Sequence, residues 1–279
     1  MPANSSIFNK IFYHLSFLLM GSSHAVAQLP ALGDAELDWL GDRIYQNECG
    51  RKPECLTSWN QGESFPSLGI GHFIWFRGDQ TEIYTESFPD LLVFYQQSGV
   101  ELPAWLQGPE AREAPWPDRD AFYREYDGPR LAPLRDFLLQ TQAVQVAFIV
   151  QRMERALPVI LSAVPASERE SLAALFYRIA HSDQPRGLYA LIDYIHFKGE
   201  GISTTERYAD QGWGLLQVLQ HLSASLQASA DETDLLDRFA DSAAAVLRNR
   251  VANAPTERNE SRWLAGWLNR VDTYRPGNL

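Results

Sequence analysis

Asp34-Ala-Glu-Leu-Asp-Trp-Leu-Gly-Asp-Arg-Ile-Tyr-Gln-Asn-Glu-Cys-Gly50, then Trp59-Asn-Gln-Gly-Glu63 and Ser67-Leu-Gly-Ile-Gly-His-Phe-Ile-Trp-Phe76, are the stretches whose reading decides the fold. In the first, Leu37, Leu40, Ile44 and Tyr45 recur at helical spacing, Asp34 is a capping residue type, and Gly50 lies where a helix would stop. The pattern predicts a helix ending at about Glu48. From Leu56 to Phe76 the signal changes to short β-branched and aromatic runs around an Asn60-Gln61-Gly62 turn, which predicts a small hairpin or sheet. Gly69 and Gly71 alternate in an apolar strand, so something is expected to approach the backbone there; the helix that ends at Glu48 is favoured over a sugar.

Glu48 follows Ile44 by one helical turn and shares the stripe of the buried apolar positions. Desolvation and the negative end of the helix dipole both disfavour a carboxylate there, so a raised pKa and a proton-donor role are expected. The bland alternative is a glutamate whose head escapes to solvent at a fraying helix end. Cys49 and Cys55 are the only cysteines and lie close enough in sequence to close one small loop in an oxidising compartment. Free thiols or a metal site are the alternatives, but two cysteines without a nearby histidine pair make an incomplete zinc set.

Outward from this region, Lys10, the apolar run from Ile11 to Met20 and the small-residue segment Ala25-Val-Ala27 read as a secretory leader, with the mature chain starting near Gln28. A periplasmic or secreted protein follows, with no later stretch suited to a membrane helix. The composition, 45% hydrophobic and 21% charged, is that of a globular protein. It is read as one domain over 28–279, with the catalytic helix and hairpin in 34–80 and a helical body in 120–279. Prolines between Pro103 and Pro133 predict mostly loop. The helical pattern beyond is expected to break near Pro158, Pro165, Pro185, Lys198-Gly-Glu-Gly201, Gly212-Trp-Gly214 and Pro255. The fold class expected is α+β, predominantly helical, with a cleft between the sheet and the helical body. The formal net charge of −11, one unit lower once Lys10 is removed, argues against nucleic acid as a partner.

The order Glu48, Trp59 to Glu63, Ser67 to His72 resembles the catalytic glutamate, β-hairpin and Thr-x-Gly-x-Gly-His pattern of phage-type lysozymes, over roughly thirty residues. The resemblance implies a lysozyme-like fold and a glycosidase, with peptidoglycan or a related aminosugar polymer as partner. It implies that Glu48 protonates the glycosidic oxygen, that Ser67 stands for the threonine, and that His72 orients rather than transfers protons. The family's second acidic position has no clean equivalent. Related chitosanase-like enzymes carry a second acid a few residues before the hydroxyl residue, which points to Glu63, against the plain alternative of a solvated turn residue.

Asn60, Ser67 and His72 on the hairpin are read as groups that can orient water or an acetamido group, or else stabilise the sheet. Trp59, Trp75, Trp105, Trp116 and Trp213 fall in or near the loops expected around a cleft, where flat rings can pack on sugar faces; because most aromatic residues are core, only Trp59 and Trp213 are kept as candidate sugar platforms. The run from Glu206 to Gln217 is expected to line the far wall of the cleft, or simply to start a helix. The cluster Arg258, Glu260, Arg262, Trp263 and Arg270 is read as exposed ion pairs without a catalytic role. No nucleophile elbow, P-loop or paired metal histidines are present, and no cofactor or metal is implied. The competing functions are a chitosanase-like hydrolase, suggested by the acidic charge, and a non-catalytic glycan-binding or scaffold protein.

Overall fold

The computed structural model describes residues 28–78, 80, 84–228 and 234–278; the expected leader, 1–27, lies outside the described residues. The opening stretch forms helix α1 (Asp34–Cys49). Its cap is Gly33 rather than Asp34, and Glu36 Oε2 accepts from Gly33 N at 2.5 Å, so an acidic first turn satisfies a terminal donor. Gly50 ends the helix in the left-handed region, at φ 55°, which a glycine adopts without a Cβ penalty. Leu40, Ile44, Tyr45 and Cys49 form the buried stripe.

Three two-residue strands follow, β1 (Thr57–Ser58), β2 (Ser67–Leu68) and β3 (Phe73–Ile74). They pair antiparallel in chain order, Thr57 opposite Leu68 and Ser67 opposite Ile74. So small a sheet holds only by packing: Leu56, Leu68, Ile70, Phe73 and Trp75 are all 0% exposed, a burial worth roughly 1.5–3 kcal/mol for each fully buried aliphatic or Phe side chain.

The rest is helical: α2 (Phe88–Gln97), α3 (Arg119–Arg124), α4 (Leu131–Gln140), α5 (Gln142–Ser162), α6 (Ala166–Ala180), α7 (Arg186–Lys198), α8 (Leu215–Ala228), α9 (Leu235–Asn253) and α10 (Ser261–Asp272). The protein is mainly helical with one small antiparallel sheet, as an α+β class requires. Helix α1 lies along α5 and against α7, while α8, α9 and α10 pack in succession. The proline-rich segment 103–133 is mostly loop with short 3₁₀ turns and the brief α3, as its composition predicts, although its last residues, Pro133 included, already belong to the first turn of α4. Helix α2 is an addition that the sequence pattern did not single out.

Two expectations are corrected here. Pro158 does not break a helix, because α5 runs through it to Ser162. Pro158 and Glu154 are both exposed, so the carbonyl that loses its helical donor can take one from water. The neighbour that crowds Gly69 is α5 rather than α1. A Cβ on Gly69 would sit 2.3 Å from Gln145 Oε1, the oxygen that accepts from Ile70 N at 2.9 Å. Among the described residues no helix is long and apolar enough to cross a membrane.

Helices α6 and α7 approach so closely at Gly187 that a Cβ there would lie 1.9 Å from Ile179 O and 2.7 Å from Ser182 O. Gly187→Ala is expected to lose about 3 kcal/mol in urea denaturation, because backbone must move to admit the methyl. Gly266→Ala, on the exposed side of α10 with nothing within 4 Å of the added carbon, is expected to gain about 0.5–1 kcal/mol through helix propensity.

Candidate active site

Glu48 stands at the end of α1 just before the Gly50 turn, and the Cys49–Cys55 disulfide ties that end of the helix to the segment entering the sheet. Its side chain is 16% exposed. Oε1 accepts from Arg270 Nη2 of α10, and Oε2 lies 3.6 Å from His72 Nδ1, on the turn between β2 and β3. His72 adopts φ 46°, a left-handed conformation that turns its ring toward α1. His72 Nε2 lies 3.5 Å from Cys55 Sγ. Cys49, Cys55 and His72 bring their donor atoms within 4.8 Å of one another, but the sulfurs are bonded to each other, which leaves the imidazole as the free ligand of the three in this oxidised state.

Arg270 is shared. Its Nε and Nη2 fork onto Asp193 of α7 at 2.9 and 2.7 Å. Asp193, 2% exposed, also accepts from Tyr274 OH at 2.6 Å and from Asn47 Nδ2 at 2.8 Å. Four donors match the acceptor capacity of a carboxylate, which is what makes a buried charge tolerable. Burial works against the Arg270 charge, but the Asp193 hydrogen bonds and the charges of Asp193 and Glu48 outweigh it and hold its pKa above the ordinary value. The next residue along α1 from Asn47 is Glu48, so the network grips both α1 and its terminal carboxyl.

Glu48 opens into a cleft of about 350 Å³. One wall is the sheet turn, with Gly71, His72 and Ile74; the other is the helical body, with Ile149, Arg152 and Met153 of α5, Ile192 and His196 of α7, and Glu200 just beyond α7. The His196 ring is open to the cleft, yet the protein mass around it desolvates the charged form and lowers its pKa, against the pull of Glu48 and Asp193. Desolvation likewise raises the pKa of Glu200, opposed by the Arg152 charge. The site therefore combines carboxyl groups, imidazoles and a guanidinium around an open cavity, the equipment of proton transfer.

Of the residues expected from the sequence, Glu48 and His72 meet at this cleft and the others do not line it. Ser67 is 6% exposed within the sheet, and its carbonyl accepts from Ser58 Oγ. Asn60 and Glu63 pair with each other, Asn60 Nδ2 donating to Glu63 Oε2 at 3.2 Å, on the turn before β2. Trp59 is 2% exposed, its ring edge-on to Phe122 and its Nε1 donating to Glu63 O, so its face is unavailable to a sugar. Trp213, 7% exposed, is covered by the Tyr208 ring at 4.7 Å and the Arg250 guanidinium at 4.0 Å. Both tryptophans are corrected from platform to core, because burying a large ring outweighs leaving it for a ligand. The run from Glu206 to Gln217 does not wall this cleft either; Arg207, Asp210 and Gln217 line a separate polar depression.

Sequence reading missed Asp193, Arg270, His196, Arg152 and Glu200. Reading the C-terminal cluster as exposed ion pairs is corrected for Arg270, and for Glu260, which is 8% exposed and held by both Arg250 Nε and Nη2 at 2.7 Å. A signal for Asp193 did exist: it is the lone charge in the apolar run from Leu188 to Ile195, so it demanded a partner that spacing alone does not identify.

Arg270→Ala is expected to lose about 3–5 kcal/mol in chemical denaturation at pH 7, because Asp193 is left buried without its counter-charge. Arg270→Lys should recover only part of this, since an ammonium cannot span the fork. Comparison of the chain with protein-family models, with curated proteins and with solved structures gave no match, so the functional reading rests on the geometry of the site.

Proposed function

We propose that the protein is an exported, lysozyme-like glycosidase that cleaves the β-1,4 bonds of an aminosugar polymer, peptidoglycan first, with Glu48 protonating the leaving oxygen. The observation that carries this reading is the Glu48 carboxyl at the end of α1, opening into the cleft between sheet and helical body with Oε2 on the His72 side. The disulfide is in keeping with an oxidising, extracytoplasmic compartment.

The acidic net charge keeps polycationic chitosan alongside peptidoglycan as a substrate to test. One observation favours a non-catalytic glycan-binding role instead, namely that Arg270 already occupies Oε1 of Glu48.

Mature protein and Glu48→Gln are incubated with each polymer, and soluble products are identified by mass spectrometry. Glu48→Gln is expected to lower release about 10²- to 10⁴-fold, the range for removal of a general acid. Product masses separate hydrolysis from anhydro-sugar formation. Undiminished release by the variant would remove Glu48 from the chemistry. Binding without release, unchanged in the variant, would favour the binding protein.

A further inference from the structure

We propose that Glu200 is the second catalytic carboxylate of this cleft, the base that takes a proton from water attacking the anomeric carbon of a β-1,4-linked aminosugar polymer. The assignment rests on the glycosidase reading above and replaces Glu63 in it.

Three observations carry it. Glu200 lines the same cavity as Glu48 and reaches it from a different element, the segment just beyond α7 rather than the end of α1. Its side-chain oxygens have no hydrogen-bond or ion-pair partner among the described residues, whereas Glu63 is engaged by Asn60 away from the cleft. Finally, the backbone that bears Glu200 is clamped. Gly199 and Gly201 adopt φ 77° and 85°, Leu215 N and Leu216 N at the start of α8 donate to Gly199 O and Glu200 O at 3.0 Å, and Gln217 Nε2 donates to Gly201 O at 3.0 Å. A Cβ on Gly214 would lie 2.2 Å from Gly201 N, so the two segments touch backbone to backbone. A free carboxyl on a fixed turn is what a base needs: accessible oxygens in a predetermined place.

The charges that face it agree. Arg152 on α5 favours its anion, while desolvation raises its pKa from the ordinary value, which makes it a stronger base than a solvated glutamate. His196 on α7, His72 on the sheet turn and Glu48 on α1 complete the titratable groups around the cavity. The step balances without a co-reactant. Water oxygen bonds to the anomeric carbon as its proton passes to Glu200, the bond to the leaving oxygen breaks, and that oxygen takes the proton of Glu48. The proton on Glu200 then returns through solvent to Glu48.

The test uses the mature protein, Glu200→Ala, Glu200→Gln and Glu63→Gln on soluble chito-oligosaccharides and on solubilised peptidoglycan strands. Both Glu200 variants are expected to lower kcat about 100-fold or more with KM changed less than about threefold, and to melt within a degree or two of the parent. Sodium azide should restore turnover to Glu200→Ala with a glycosyl azide product, and the fall in rate on acidification that reports protonation of the base should vanish. Glu63→Gln should act like the parent. Wild-type rates in the Glu200 variants would overturn the assignment, as would loss without azide rescue and with the acid limb intact. Release of nothing by the parent would overturn the glycosidase reading and this assignment together; release by the parent with undiminished Glu200→Gln would overturn this assignment alone.

Discussion

The site hangs on a buried ion pair. Asp193 on α7 and Arg270 on α10 meet through two hydrogen bonds, and Asn47 and Tyr274 fill the remaining acceptor sites of the carboxylate. Taking a carboxylate this far from water costs several kcal/mol, which only a complete set of donors offsets. That requirement joins three segments far apart in sequence, the end of α1, the middle of α7 and the end of α10. The Arg270 nitrogen that also reaches Glu48 brings the same constraint to the cleft, so the orientation of the candidate acid depends on a contact that is primarily structural. The Phe197 ring also packs against Arg270, its centroid 4.5 Å from the guanidinium carbon.

Around this anchor the cleft is electrostatically divided. The Glu48 end is tied into the network by a guanidinium, whereas the Glu200 end holds a carboxyl free of direct partners, with the Arg152 charge nearby. Two carboxyl groups in one cavity but in different environments can serve different proton-transfer roles, and here the difference arises from which helices supply the counter-charges. Just outside, Lys198 sits with its amine 3.6 Å from the Trp267 ring and 4.0 Å from Phe197, its pKa pushed down to about 7 by burial and by Arg250.

Aromatic residues explain where sequence reading went astray. Trp59 and Trp213 stand beside turns, where a ring is free to face a ligand, but each turn folds back onto the body. Arg119 Nε donates to Trp59 O at 2.7 Å and Tyr123 OH accepts from Trp59 N at 3.1 Å, which draws the α3 segment over that ring. Trp213 is trapped in the same way once Tyr194 OH donates to its carbonyl at 2.9 Å. Whether a ring is covered depends on segments tens of residues away, and local pattern carries no trace of them.

What the sequence by itself determined is local. The period of Leu40, Ile44 and Tyr45, the glycine at position 50 and the close pair of cysteines specify a helix that ends within a residue of Glu48 and a loop closed by a disulfide; the change of period after Leu56 specifies a small sheet with His72 at its turn. These features depend on backbone preferences and on neighbours within a few residues, so they can be read from spacing. The tertiary structure alone decided that Arg270 pairs with Asp193 and Glu48, that Gly69 yields to Gln145, and that Glu200 shares a cavity with Glu48. Those outcomes come from satisfying buried charge and filling space between segments as many as 222 residues apart, and no local periodicity encodes which partner meets that demand.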